Sequence, residues 1–143
     1  MVLLVEPDDL IASQLAESLH GVNDVHRCSG FHEARERLRA EPPDFLVSNL
    51  RLREYNGLQL VYLATASISQ TRAIIYTTHL EATLARDVQR AGAFYDTADC
   101  LAISLRTFLS AQLPPHDRRD PQRRERAQEG HDRRGTDRSV PDA

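Results

Sequence analysis

Short apolar runs alternate with stretches of helical periodicity along the first 113 residues. Val2 to Val5 is a continuous apolar run of strand length, and such a run is typical of a strand buried on both faces of a sheet. Four further strands are predicted at Val25 to Cys28, Phe45 to Ser48, Ala73 to Thr77 and Ala93 to Tyr95. Because strand and helix alternate five times, the pattern predicts an α/β fold with a parallel sheet and helices on both faces.

The segments between these strands show helical spacing of apolar residues. Asp8 or Asp9 can cap the first helix, and Ser29 is the predicted N-cap of the second. The third helix is predicted over Gly57 to Ser67. The apolar positions predicted to face the core are Ile11, Leu15, Leu19, Phe31, Ala34, Leu38, Leu80, Leu84, Val88, Ala91, Leu101, Leu105, Phe108 and Leu109.

The last 30 residues differ sharply in composition from the rest. Residues 114–143 contain three apolar residues, too few to offset the entropy lost on ordering. We therefore predict one domain over residues 1–113 and a disordered tail over residues 114–143. The tail has eight arginines against seven acidic residues, and this near balance argues against a nucleic-acid-binding arm.

Composition excludes several classes of chemistry. All 18 basic residues of the 143-residue chain are arginine, so mechanisms that need a lysine amine are excluded. No signal peptide and no apolar stretch of membrane-spanning length is present, and we expect a cytoplasmic protein without membrane contact. Cys28 and Cys100 show no metal-ligand spacing with the six histidines, and we expect both to be buried free thiols.

Ligands of doubly wound sheets bind beyond the carboxyl ends of the strands. Five segments in and around those ends, in order and correctly spaced, resemble the receiver domains of two-component response regulators: Val2 to Glu6, Pro43 to Leu50, Asn56-Gly57-Leu58, Ile74 to Thr77 and Ala91-Gly92-Ala93. The resemblance implies a flavodoxin-like, doubly wound five-stranded parallel sheet of order 2-1-3-4-5.

The resemblance also implies a set of site residues. Receivers accept a phosphoryl group on an aspartate at the end of the third strand, where this chain has Asn49. A pair of acids after the first strand holds Mg²⁺, and here the pair is Glu6-Pro7. Thr77 matches the hydroxyl residue after the fourth strand, and Tyr95 matches the switch aromatic of the fifth. The lysine after the fifth strand falls at Ala98 or Asp99.

These departures predict a degenerate phosphorylation site at Asn49, because a neutral amide is a poor nucleophile and a poor Mg²⁺ ligand. Glu6 and Asp8 remain as a remnant acidic pocket, with Asp8 also suited to cap the helix. We therefore expect no cofactor and weak or absent Mg²⁺ binding. Arg51 and Arg53 are candidate charge substitutes that could reach back to Glu6 or Asp8, and the alternative is that both face water.

A stretch from Gly57 to Thr71 carries no charge, although a surface helix normally has a charged outer stripe. Tyr62 and Leu63 are therefore candidate residues of an exposed apolar interface. The alternative is a helix that is covered more deeply, by the tail or by the rest of the fold.

Together these observations predict an atypical receiver that acts as a phosphorylation-independent protein-interaction module, not as an enzyme. Its partner would be another signalling protein or a second copy of the chain, and nucleic acid is not expected. Two alternatives remain open. One is a functional phosphorelay receiver phosphorylated at Glu6 or Asp8, and the other is a regulator that binds nucleic acid through the tail.

Overall fold

The computed structural model describes residues 1–22, 24–66 and 70–112. Within these ranges strands and helices alternate as the sequence pattern predicts. In chain order they are β1 (Val2–Val5), α1 (Asp9–Ser18), β2 (Val25–Cys28), α2 (Phe31–Ala40), β3 (Phe45–Asn49), β4 (Arg51–Leu52), β5 (Tyr55–Asn56), α3 (Leu58–Ala66), β6 (Arg72–Thr77), α4 (Ala82–Arg90), β7 (Phe94–Thr97) and α5 (Ala98–Ser110).

Five of the strands form one parallel sheet in the order β2-β1-β3-β6-β7. This is the predicted 2-1-3-4-5 order once β4 and β5, which pair antiparallel in a separate two-stranded sheet, are left out. The doubly wound fold class is therefore confirmed. The strand order reverses between β1 and β3, and the carboxyl ends of these strands frame the crevice where such folds bind ligands.

The sheet has an apolar core on each face. Residues of α2, α3 and α4 pack on one face against alternate strand residues such as Leu3, Val5 and Ile75. Residues of α1 and α5 pack on the other face against Leu4 and Tyr76. Because side chains alternate between the faces of a strand, β1 contributes fully buried residues to both cores.

Local backbone contacts fix the loops around the carboxyl edge. Asp8 is the N-cap of α1, and its carboxylate accepts hydrogen bonds from the backbone of Leu10 and Ile11. Gly57 donates its N–H to the Leu50 carbonyl at 2.7 Å. A Cβ at Gly57 would lie 2.3 Å from the Asn49 carbonyl oxygen, so only glycine lets the start of α3 pack this closely on the end of β3.

Two local predictions about the helices are wrong. The N-cap of α2 is the extended Gly30 rather than Ser29. Ser29 instead donates its N–H to the side chain of Glu33 in the first turn. Leu80 precedes α4 and is 75% exposed, so its helical spacing to Leu84 is coincidental.

The two cysteines differ in their surroundings. Both are free, but Cys28 is buried and Cys100 is exposed, which corrects the expectation of two buried thiols. Burial raises the pKa of the Cys28 thiol to about 11. Cys28 is therefore an inert core thiol at neutral pH.

The tail predicted over residues 114–143 lies outside the described residues, and the domain boundary at residue 113 stays a prediction. Among the helices described, none has the length and apolar character that a membrane span needs.

Candidate functional site

Three polar side chains form a row across the carboxyl edge of the sheet. Asn49 pairs with Tyr76 in the register of β3 and β6. Glu6 directly follows Val5, which is the partner of Ser48 in the register of β1 and β3. Glu6, Asn49 and Tyr76 therefore lie side by side at the carboxyl ends of three neighbouring strands, β1, β3 and β6, and point to the same face of the sheet. We call these three residues the buried row.

Hydrogen bonds join the buried row into one network. Glu6 Oε2 accepts from Asn49 Nδ2 at 2.9 Å and from the Tyr76 hydroxyl at 2.6 Å. Asn49 Oδ1 accepts from the N–H of Arg51 at 2.9 Å, and this contact fixes the orientation of the amide, because a carboxylate needs a donor and an N–H needs an acceptor. Neutral donors thus satisfy a carboxylate that is only 3% exposed.

Tyr76 is the most deeply buried member of the row, with no exposed surface. Burial raises the pKa of its phenol above the ordinary value of 10.0, and the hydrogen bond to Glu6 raises this pKa further. The hydroxyl therefore stays protonated and donates to Glu6 throughout the neutral pH range.

Asp8 does not face Glu6 with its carboxylate. Its backbone N–H donates to Glu6 Oε1 at 2.8 Å, while its side chain caps α1. Pro7, between them, has no polar side chain. The remnant acidic pocket predicted from Glu6 and Asp8 thus contains one inward-facing carboxylate, and both of its oxygens already accept hydrogen bonds. Within the described residues, no group of three or more His, Cys, Asp or Glu side chains could hold a metal ion.

A second set of polar contacts lies beside the buried row and nearer to solvent. Thr77 Oγ1 donates to the His79 carbonyl at 2.6 Å and contacts the Tyr95 hydroxyl at 2.5 Å. The Tyr95 oxygen accepts from the N–H of Glu81 at 3.0 Å. Arg51 contacts Glu81 Oε1 at 3.1 Å. We call Arg51, Thr77, His79, Glu81 and Tyr95 the outer cluster.

A cavity of about 320 Å³ lies at this edge of the sheet, beside both sets of contacts. Asn49 and Thr78 line it together with members of the outer cluster. The predicted switch residues Thr77 and Tyr95 are thus in direct contact, and their hydroxyls bond to the loop between β6 and α4. The structure brings Asn49, Thr77 and Tyr95 to one edge, as the windows at the strand ends predict.

The structure does not support the predicted role of the two arginines as charge substitutes at Glu6 or Asp8. Arg51 is 73% exposed and pairs with Glu81, and both residues line the cavity. Arg53 is exposed, at a φ of 59°, in the turn between β4 and β5. The side-chain donors at Glu6 are Asn49 on β3 and Tyr76 on β6 instead, and neither requires a long flexible side chain to be ordered.

The predicted apolar patch lies on α3. Tyr62 is 56% exposed and Leu63 is 36% exposed. Gln59 and Ala66 are exposed on the same side of the helix, since residues three and four apart share a face. The outer stripe of α3 is therefore uncharged, and the described part of the fold does not cover it. The tail, which the alternative also named as a possible cover, lies outside the described residues.

The sequence model of the response regulator receiver domain family matches residues 2–96. The chain belongs to this family. Solved receiver domains share its fold. The BeF3-activated receiver domain of DrrB, from Thermotoga maritima, has 20% identity and a TM-score of 0.63, and the match covers 77% of this chain and 97% of that one. A CheY-like receiver domain protein from Methanospirillum hungatei has 18% identity and a TM-score of 0.64, with coverage of 76% and 91%.

A third receiver domain, from the DNA-binding response regulator merR of Colwellia psychrerythraea, has 15% identity and a TM-score of 0.66, with coverage of 77% and 98%. At these identities the likeness concerns the fold alone. No curated protein matches the chain. Family membership makes this receiver domain a component of two-component signalling.

Sequence reasoning missed two residues of this receiver domain's site. Tyr76 is a strand former in a buried run, and its hydroxyl gains a role only because Glu6 lies two strands away on the same face. The signal was present in the strand pattern, because all three residues lie at the carboxyl ends of predicted strands. Glu6 and Asn49 directly follow the first and third predicted strands, and Tyr76 is the penultimate residue of the fourth. Glu81 carries no comparable signal, since it lies 30 residues from Arg51 in the chain.

Proposed function

We propose that this receiver domain is a phosphorylation-independent interaction module in two-component-type signalling, and not an enzyme. Family membership supplies the signalling role. The observation that carries the proposal is the 2.9 Å hydrogen bond from the Asn49 amide to Glu6. An amide at this position donates to the carboxylate, whereas an aspartate would face it as a second acid and would need a cation or a proton between the two.

The geometry at Asn49 argues against phosphoryl transfer to this residue. Its Nδ2 is committed to Glu6, and its Oδ1 is committed to Arg51. A primary amide is also a weak nucleophile without an activating base. The two nearby carboxylates also have hydrogen-bond partners. Glu6 accepts from three donors, and Asp8 caps α1.

The residues present do not fit the Mg²⁺ that the family implies. Mg²⁺ requires near-octahedral oxygen ligands at about 2.0–2.1 Å and is held by carboxylates. Here the one inward carboxylate is Glu6, and an N–H and an O–H point at its Oε2. These hydrogens carry partial positive charge where a cation would have to approach, so we derive no step through a metal.

The outer cluster supports a single signalling conformation. The hydroxyl of Thr77 is held by His79, and that of Tyr95 is held by Glu81. Both hydroxyls therefore already have hydrogen-bond partners within the chain, and neither needs a phosphoryl group to be held in place. A domain in one conformation signals by binding, and the choice of partner then depends on its exposed faces.

The exposed stripe of α3 is the surface we propose for that binding. Tyr62 and Leu63 offer apolar area without charged neighbours on their own helix, and exposed patches of this kind mark interaction sites. The partner is another signalling protein or a second copy of this chain.

Substitution of this stripe tests the proposed surface. Tyr62→Glu and Leu63→Glu should shift the size-exclusion profile towards the monomer or abolish co-purification of the partner, with the melting temperature changed little because both residues are exposed. The matched control is Ile103→Glu, at an 87% exposed apolar residue of α5 on the opposite face of the sheet. If both α3 variants behave as wild type, or if Ile103→Glu has the same effect, the surface is not on α3.

Incubation with acetyl phosphate and Mg²⁺ tests phosphorylation independence. We expect the intact mass of the full chain to stay unchanged, while a receiver with an acceptor aspartate gains one phosphoryl group under the same conditions. A hydroxylamine-sensitive adduct at Glu6 or Asp8 would instead support the phosphorelay alternative. For the nucleic-acid alternative, binding at two salt concentrations, with and without residues 114–143, is the corresponding test.

A further inference from the structure

Packing alone does not explain why a hydroxyl is present at Tyr76. Its ring lies in the core formed by α1, α5 and the sheet, in one cluster with Leu4, Leu15 and Leu101. A phenylalanine would fill the same space without the cost of burying a hydroxyl. That cost is offset by the 2.6 Å hydrogen bond to Glu6, so the hydroxyl is tied to this carboxylate specifically.

We infer that Tyr76 is a positioning residue whose hydroxyl takes, at Glu6, the place that a divalent cation would need, and so keeps this pocket free of metal. The inference rests on the proposed function and names the residue that excludes metal from the pocket. It predicts that restoring an acid at position 49 does not by itself restore a tight metal site.

The hydrogen bonds at Glu6 carry this inference. Oε2 receives two donors, Asn49 Nδ2 and the Tyr76 hydroxyl, and Oε1 receives the N–H of Asp8. Replacing Asn49 by aspartate removes one donor and adds an acid, but leaves Tyr76 bonded to Oε2. A metal ion that binds Glu6 must then still compete with a charge-assisted hydrogen bond for Oε2 in a buried site.

The geometry of the sheet places the Tyr76 hydroxyl where it competes directly with a metal ion for Glu6. Tyr76 lies on β6, next to Asn49 on β3, and both reach Glu6 from the same side. Tyr95, the other tyrosine at this edge, bonds to Thr77 and Glu81 rather than to Glu6. The chain therefore offers a matched control, a second hydroxyl at the same edge that does not touch the carboxylate.

The test uses Mn²⁺ as the probe and the full chain as Asn49→Asp, Asn49→Asp/Tyr76→Phe and Asn49→Asp/Tyr95→Phe. Free Mn²⁺ is followed by electron paramagnetic resonance, and circular dichroism verifies the fold of each variant. We expect Tyr76→Phe to tighten Mn²⁺ binding about tenfold or more in the Asn49→Asp background, because it removes one hydrogen bond to a charged group. Tyr95→Phe should change the affinity by less than about twofold.

Equal Mn²⁺ affinity of Asn49→Asp and Asn49→Asp/Tyr76→Phe would overturn the inference, and so would the same gain from Tyr95→Phe. If the double variant does not fold, Tyr76→Phe alone replaces it. The side-chain amide signal of Asn49 should then broaden at a lower Mn²⁺ concentration in Tyr76→Phe than in wild type, and identical titrations would contradict the inference.

These outcomes are separable from those of the proposed function. A phosphoryl adduct on the wild-type chain defeats the proposed function whatever Tyr76 does. Unchanged Mn²⁺ affinities without any adduct defeat only the role assigned to Tyr76.

Discussion

The buried row and the outer cluster lie side by side at the carboxyl edge of the sheet, but they stabilise their charged groups in different ways. In the buried row, Glu6 is 3% exposed and is held by short neutral groups on rigid strands. In the outer cluster, Arg51 is 73% and Glu81 is 37% exposed. Water can replace a lost partner in the outer cluster, whereas a lost partner in the buried row leaves a polar atom unsatisfied.

The two regions differ in how they relate to the family resemblance, which implies a charged centre that takes a cation and a phosphoryl group. In the function that we propose, the amide of Asn49 and the phenol of Tyr76 close that centre by bonding to Glu6. The outer cluster keeps the hydroxyl and the aromatic that the family resemblance implies, but uses them to hold a loop. Energetic effects should therefore be large for changes in the buried row and small for changes in the outer cluster.

Asn49→Asp should have the largest effect. It removes the donor to Glu6 and sets two acids 2.9 Å apart in place of a hydrogen bond. We expect the free energy of unfolding at neutral pH, measured in urea without metal, to fall by about 3 kcal/mol. Asn56→Asp is the matched control, because Asn56 is exposed and its Oδ1 accepts from the N–H of Leu58, a contact that aspartate keeps. A loss for Asn49→Asp no greater than that of the control would show that the row is not a closed network.

Tyr76→Phe should rank second. It removes one hydrogen bond to a buried charge and should lower the free energy of unfolding by about 2 kcal/mol. Tyr95→Phe removes bonds among partly exposed neutral groups, and we expect about 1 kcal/mol. Chemical denaturation of both variants measures the difference. The opposite ranking would contradict the contrast between the two regions.

The same tyrosine should make stability depend on alkaline pH. Because the folded-state pKa of Tyr76 is raised above its unfolded value of 10.0, its contribution is complete below pH 10 and is lost as the pH rises beyond that value. The difference in unfolding free energy between wild type and Tyr76→Phe should be constant from pH 7 to 9. Above pH 10 it should shrink by up to roughly 1.4 kcal/mol per pH unit. A constant difference through pH 11 would contradict the buried, protonated phenol.

The ion pair between Arg51 and Glu81 should give the smallest effect. Both side chains are exposed to a large extent, so a double-mutant cycle with alanine should return a coupling of about 0.5 kcal/mol that decreases with added salt. A coupling above about 2 kcal/mol would show that the outer cluster locks the domain as firmly as the buried row does.

Much of this fold is predictable from its sequence, and the reasons are local. The run Val2 to Val5 is apolar without interruption because β1 is buried on both faces, and Asp8 caps α1 because it precedes the first helical turn. The hairpin of β4 and β5 is not predictable from periodicity, since each strand has two residues. Leu80 has the spacing of a helix residue but lies outside α4.

The site was predictable in its position but not in its bonding. Asn49 directly follows the third predicted strand and Thr77 ends the fourth, so their place at the carboxyl edge follows from the pattern. The partner of Glu6 does not, because it depends on the register that sets Tyr76 beside Asn49. A long side chain such as that of Arg51 can reach several acids at a similar cost in conformational entropy. The sequence alone therefore does not predict that Arg51 pairs with Glu81 rather than with Glu6.

Titration of the ¹⁵N-labelled full chain with Mg²⁺ and beryllofluoride, followed by heteronuclear NMR, tests the central claim most directly. Beryllofluoride mimics a phosphoryl group on an acceptor aspartate, and this chain has the amide of Asn49 at that position. The account predicts that the backbone signals of Thr77, Glu81 and Tyr95 and the side-chain amide signal of Asn49 stay in place. Saturable shifts of these signals would contradict it, because they would show a site that still binds metal and a phosphoryl mimic and responds to them.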